Sequence, residues 1–152
     1  MQIPPPILHE MMSHALETRP EECCGLIVGG GPERFRRLYR CHNEMTQRHN
    51  DEPEIFPRDN HSAFYMSPRD VYAVQREAER AGLHVTAVYH SHVGARAYLS
   101  EMDLSYAGSA WFPFPEADWI VLAVFERSVS EVAVFRPGRD GFRGHPVAGF
   151  RS

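Results

Sequence analysis

Metal-binding and proton-handling side chains crowd one stretch of this sequence: His90-Ser91-His92, then Ser100 and Asp103. Residues i and i+2 of a strand point to the same face, so an extended segment lets both imidazoles converge on one point. Asp103 lies eleven residues beyond His92, and the intervening loop is long enough to fold its carboxylate back. Two histidines and one carboxylate form a known ligand set for catalytic zinc, with the fourth position left to water. Zinc lowers the pKa of that water to ~7 and yields hydroxide near neutrality. The pattern therefore predicts zinc as cofactor, held by His90, His92 and Asp103. It gives no sign of an organic cofactor.

Hydrolysis also needs a group to move the proton. Glu22, in Glu22-Cys23-Cys24-Gly25, offers one, and Glu21 competes for the role. The Ser100 hydroxyl could donate to the oxyanion of a tetrahedral intermediate. Ser100-Glu101-Met102-Asp103 is also a helix start, with Ser as N-cap and an acid at N3. That role needs neither metal nor catalysis, and it is compatible with ligation because a capping position would fix Asp103 rigidly. The other histidines, His9, His14, His42, His49, His61, His84 and His145, lack such company and read as surface or structural groups.

The elements around these residues follow from periodicity. Ile3 to Thr18 carries Ile7, Leu8, Met11, Met12, Ala15 and Leu16 at the spacing of an amphipathic helix. Cys24 to Val28 reads as a buried strand ended by Gly29, Gly30 and Gly31, with Arg34 to Cys41 as hairpin partner. Asn43 to Ser62 is polar and proline-rich and reads as a long loop, a type that is often functional. Ala63 to Met66 suggests a short strand. Ser67 and Pro68 open a helix that Gly82 ends. Leu83 to His90 is the next strand, Val93 to Leu99 a loop, and Ser100 to Ser109 a helix. Trp111 to Asp118 connects to a strand pair, Trp119 to Phe125 and Val129 to Arg136. A last strand falls near Phe142 to Val147. Strands and helices do not alternate regularly, which predicts an α+β or mixed α/β sandwich with helices on a central sheet.

The 152 residues suit one domain, spanning 1–152. A net charge of -4 argues against a nucleic-acid partner. Arg34, Arg36, Arg37 and Arg40 are a local exception that reads as the solvated face of a strand. No apolar run approaches the ~20 residues that span a bilayer, and Met1 to Glu10 lacks the regions of a signal peptide. The expected location is cytoplasmic, without a membrane partner. Cys23, Cys24 and Cys41 lack CxxC spacing and read as buried, reduced thiols.

Taken together, Glu22, His90-Ser91-His92, Ser100 and Asp103 resemble the signature of the JAMM (MPN+) zinc metallopeptidases. Independent placement would give the His-x-His, Ser and Asp pattern on the order of 0.001 times in such a chain. Pro20-Glu21-Glu22-Cys23-Cys24-Gly25-Leu26 is similar to the glutamate-bearing segment of small prokaryotic JAB members, and its Glu-x-x-Gly register selects Glu22 over Glu21. Phe64-Tyr65-Met66 with Pro68 resembles their middle segment. The likeness runs from about Ile3 to Arg136, with one departure: Val93 stands where many members have proline. It implies a cytidine-deaminase-like JAB/MPN fold, with a central sheet flanked by helices. It also implies amide or isopeptide hydrolysis by zinc, with Glu22 as base and Ser100 assisting the oxyanion. The implied substrate is a ubiquitin-like or sulfur-carrier protein with a Gly-Gly tail, one such role being release of cysteine in cysteine biosynthesis. A groove for that tail is expected near Phe64 to Met66 and Val93 to Leu99. The contrasting expectation is a non-catalytic MPN-type binding module. A metal-dependent nucleotide hydrolase or deaminase is disfavoured, the zinc deaminase pattern of His-x-Glu together with Pro-Cys-x-x-Cys being absent.

Overall fold

The computed structural model describes residues 2–148 and Phe150. The other positions of the expected 1–152 domain lie outside it. Helix α1 (Pro5–Thr18) precedes a hairpin of β1 (Cys24–Gly30) and β2 (Glu33–Cys41). Helices α2 (Met45–Asp51) and α3 (Pro68–Arg80) lead to β3 (His84–Val93), and α4 (Glu101–Ala107) follows. Strands β4 (Asp118–Phe125), β5 (Ser128–Gly138) and β6 (Gly141–Pro146) complete a six-stranded sheet of order β2-β1-β3-β4-β5-β6. Only β3 and β4 pair in parallel; the other neighbours are antiparallel. This is the expected mixed α+β architecture.

Alternation along the strands divides the core into two layers. Ala87, Tyr89, Ile120 and Leu122 face α1, where Ile7, Met11 and Ala15 cover them. Leu26, Val28, Val88 and Trp119 face the opposite way, against Val74 and Ala78 of α3. His90 shares the parity of Val88. Both histidines therefore belong to the α3 side, while Ser91 belongs to the α1 side.

Local chemistry sets the helix ends. Prolines occupy the first turn of α1, where a missing N–H costs nothing. Ser67 caps α3 by accepting from the Asp70 N–H at 3.4 Å. Gly82 takes φ 70°, and the Leu83 N–H then returns to the Ala78 carbonyl at 2.8 Å.

Several expectations need correction. The segment 43–62 contains α2, a short helix with Met45 as its buried residue, so no amphipathic period announces it. Ala63 to Met66 is not a strand: it makes one bridge, Met66 to Asn43. The Tyr65 N–H goes instead to the Asn43 side chain. Strand β3 continues past His90 to Val93, which carries both histidines inside the sheet. The arginine cluster is not simply solvated. Arg40 pairs with Glu10 and Glu17 of α1, and Arg34 with the buried Asp118. The three cysteines are buried and free, as expected.

A buried pair fastens α1 to the sheet. The Tyr89 ring lies over Gly25, its cross-strand partner, where any Cβ would clash with the ring. Its hydroxyl lies 2.6 Å from Nδ1 of His14. Burial, followed by the charge of Arg40, lowers the His14 pKa from 6.5 to about 4. The unfolded chain therefore binds more protons between those values, and the pair's contribution is lost as pH falls from about 6.5 toward about 4. In denaturant unfolding, the wild type is expected to lose more stability across this window than His14→Gln. Equal slopes for the two proteins would show that His14 does not carry the effect.

Candidate metal centre

The site begins with strand pairing. Cys24 of β1 sits opposite His90 of β3. Two further contacts extend the pairing beyond β1: the Ser91 N–H donates to the Cys23 carbonyl at 3.1 Å, and the Cys23 N–H to Ser91 Oγ at 2.8 Å. Ser91 thus orients its neighbours. Glu22 has the parity of Cys24, so its side chain rises on the face of His90 and His92. It is buried, and its Oε1 has no hydrogen-bond partner.

Helix α4 delivers the carboxylate. Ser100 Oγ accepts from the Asp103 N–H at 3.0 Å, and Asp103 Oδ2 accepts from the Ser100 N–H at 2.9 Å. This reciprocal pair is a complete capping box. The same Oδ2 lies 3.1 Å from Nε2 of both His90 and His92, and the two Nε2 atoms are 3.2 Å apart. Capping and convergence therefore operate together at Asp103. The Ser100 hydroxyl proton remains free to donate.

Each ring has its own support. Phe64 stacks on His90 with centroids 4.4 Å apart, and Trp119 meets the imidazole in a T-shaped contact at 5.7 Å. His90 Nδ1 has no hydrogen-bond partner. His92 Nδ1 is 2.8 Å from the Arg96 carbonyl. A carbonyl only accepts, so Nδ1 must carry the hydrogen.

His90, His92 and Asp103 form a buried group that could hold a metal ion. The chemistry of the donor set fits a cation. Burial lowers the His90 pKa and favours a neutral ring. Burial would raise that of Asp103, but His90, His92 and the Ser100 N–H hold it well below the usual carboxylate range. A histidine ligand must be neutral, and the hydrogen that the Arg96 carbonyl requires on His92 Nδ1 leaves Nε2 to face the Asp103 carboxylate oxygen. A cation among the three atoms would be bonded by both. Zinc bond lengths place tetrahedral ligand atoms about 3.4 Å apart, within a few tenths of an ångström of the observed spacings. Burial first, then the Asp103 charge, raises Glu22 to about 9.

Beside Asp103 lies a cleft of about 340 Å³. Met45, Phe56, Phe64, Tyr65, Tyr106 and Trp111 are among its lining residues. Phe64 and Tyr65, near which a groove was expected, line this cleft together with residues of α4 and Trp111, whereas Val93 to Leu99 are not among its lining residues.

The sequence model of prokaryotic homologues of the JAB domain matches residues 4–135. The chain belongs to this family. It is 26% identical over 131 residues to the CysO-cysteine peptidase of Mycobacterium tuberculosis, covering 86% of this chain and 77% of the peptidase. It is 29% identical over 109 residues to tail tip assembly protein K of Escherichia phage N15. That match covers 72% of this chain but spans only 37% of the phage protein. Two solved structures share the fold. A Desulfitobacterium hafniense protein has a TM-score of 0.67 at 22% identity, covering 93% of this chain and 86% of its own. A Salinibacter ruber protein has a TM-score of 0.64 at 24% identity, covering 100% and 92%.

Asn43 and Asn60 went unmarked in the sequence because they sit in a polar loop among many similar residues. The Asn43 amide donates to the Glu22 and Ala63 carbonyls at 3.0 and 3.1 Å. Its Oδ1 accepts from the Met45 and Tyr65 N–H groups at 3.0 Å. The Asn60 carbonyl accepts from the Glu22 N–H at 2.8 Å. Asn43→Ala would strand four backbone groups, two of them donors, and is expected to cost about 3 kcal/mol. Chemical denaturation of the variant checks this; a loss below about 0.5 kcal/mol would show that water replaces the amide.

Proposed function

We propose that this protein is a zinc metallopeptidase of the JAMM type. It would hydrolyse an amide or isopeptide bond at the C-terminus of a ubiquitin-like or sulfur-carrier protein with a Gly-Gly tail. The observation that carries the reading is the convergence of His90, His92 and Asp103, together with a buried Glu22 whose Oε1 has no partner. Family membership and likeness to the CysO-cysteine peptidase support it, the latter favouring a carrier that ends in cysteine. A cytoplasmic location accords with the absence, among the described residues, of a helix long and apolar enough to cross a membrane.

His90 and His92 through Nε2, and Asp103 through Oδ2, would hold the ion. Zinc there supplies Lewis acidity toward a carbonyl and acidifies a water molecule. Glu22 takes the proton from the attacking water and returns it to the leaving amine. Positive charge beside Asp103 would offset the Asp103 part of what raises Glu22, the smaller part beside burial. The Ser100 hydroxyl donates to the developing oxyanion. The cleft beside Asp103 receives the extended tail, with its aromatic wall excluding water.

Glu22→Gln preserves volume and removes the proton acceptor. It is expected to bind zinc like the wild type and to cleave a Gly-Gly carrier bearing a C-terminal extension about 10²–10⁴-fold more slowly. Full activity in a folded, zinc-loaded variant would remove Glu22 from the mechanism.

A further inference from the structure

Three residues on adjacent strands lie in one row across the sheet. His92 of β3 pairs with Ala123 of β4, which pairs with Glu131 of β5. Residues paired in this way share a face. At about 4.8 Å per strand, the His92 and Glu131 backbones are ~10 Å apart, too far for direct contact. The small side chain of Ala123 leaves a trough between them.

The loop after β3 lies in that trough. Gly94 takes φ 75°, a conformation that favours glycine, and its N–H bonds to the Val124 carbonyl at 2.8 Å. The chain thereby turns back over β4, and Ala97 packs against Val121, Ala123 and Ala133. A bulge assists from the far side. The β4–β5 register shifts between Ala123 and Val124, so that Ser130 is extra beside Glu131. Bulges of this kind re-aim side chains.

The Arg96 carbonyl and the Ala97 N–H belong to one peptide group. The carbonyl lies 2.8 Å from His92 Nδ1. The N–H donates to Glu131 Oε1 at 3.0 Å. A planar trans peptide directs these groups in opposite directions, so the unit spans from the imidazole to the carboxylate. Arg96 also pairs with Glu131 at 3.1 Å, but its side chain is 80% exposed, and such a pair contributes little.

We propose that Glu131 is a positioning residue for the metal centre, acting on His92 through the 96–97 peptide. The carboxylate fixes the peptide's orientation and polarises it, so the carbonyl becomes a stronger acceptor for the His92 Nδ1 hydrogen. That bond selects the tautomer that presents Nε2 and raises its basicity as a ligand. It performs what a carboxylate in direct contact with a metal-bound histidine performs elsewhere, with a backbone amide interposed. His90 lacks any such partner at Nδ1, so the device supports His92 alone. Nothing in the sequence singles out Glu131, since a charged residue on a strand reads as solvent-facing.

This inference rests on reading His90, His92 and Asp103 as ligands, and the test separates the two. Zinc affinity is measured by chelator competition and ligand geometry by cobalt(II) absorption, for wild type, Glu131→Ala, Glu131→Gln and Arg96→Ala. Thermal unfolding of each metal-free protein is measured alongside. Glu131→Ala is expected to weaken zinc about 10–100-fold and to alter the cobalt spectrum, with metal-free unfolding unchanged. Glu131→Gln retains an acceptor for Ala97 and should recover most of the affinity. Arg96→Ala keeps the peptide and should stay within about fivefold of wild type. Wild-type affinity and spectrum in Glu131→Ala would overturn the role of Glu131 and leave the metal centre standing. Arg96→Ala as damaging as Glu131→Ala would assign the effect to the ion pair and overturn the peptide route. A wild type that binds neither ion would overturn the ligand assignment and this inference with it.

Discussion

The antiparallel pairing of β1 with β3 governs the rest of the site. With Cys24 opposite His90, the segment entering β1 runs alongside His92, and Glu22 falls on the face that carries both imidazoles. A slip of one residue would turn every side chain of one strand to the opposite layer. Glu22 would then enter the α1 core with a carboxyl group and no partner. The register is defended from both layers. Tyr89 occupies the space over Gly25, Leu26 and Val28 fill the α3 side, and Ser91 ties itself to Cys23.

Around that pairing, the site is assembled from pieces with separate anchors. Asp103 is set by its own helix cap, His90 by aromatic packing, His92 by a peptide carbonyl, and Glu22 by the two asparagines that hold its backbone. Each anchor leaves the working atom free of other hydrogen bonds or directs it toward the common centre. At Asp103 the ligand atom is itself part of the anchor, since Oδ2 also accepts from the Ser100 N–H. The buried, unpartnered Oε1 of Glu22 and Nδ1 of His90 are costly in isolation. The packed sheet beneath them, which buries Trp119, Ile120 and Val121 completely or nearly so, can sustain that cost.

Much of this was legible in the sequence because the informative residues obey short-range rules. His90 and His92 are two apart on a strand, Ser100 and Asp103 three apart at a helix start, and both spacings map directly onto geometry. The long amphipathic pattern of α1 and the Ser67–Gly82 punctuation of α3 were readable for the same reason. What escaped was tertiary. Helix α2 is too short to show a period. Residues 63–66 look like a strand by composition, yet Asn43 takes the hydrogen bond that a ladder would have used. The part of α4 and Trp111 in lining the cleft, the partners of Arg34 and Arg40, and the role of Glu131 all depend on contacts between residues distant in sequence. No local pattern encodes them.

The central claim is that His90, His92 and Asp103 hold one zinc ion in an open-sided site. Zinc-edge anomalous diffraction from crystals of protein loaded with zinc and freed of excess tests it most directly. The account predicts a single strong peak within bonding distance, about 2.0–2.2 Å, of Nε2 of His90, Nε2 of His92 and a carboxylate oxygen of Asp103. No peak there, or a peak on the cysteines Cys23, Cys24 or Cys41 instead, would contradict it.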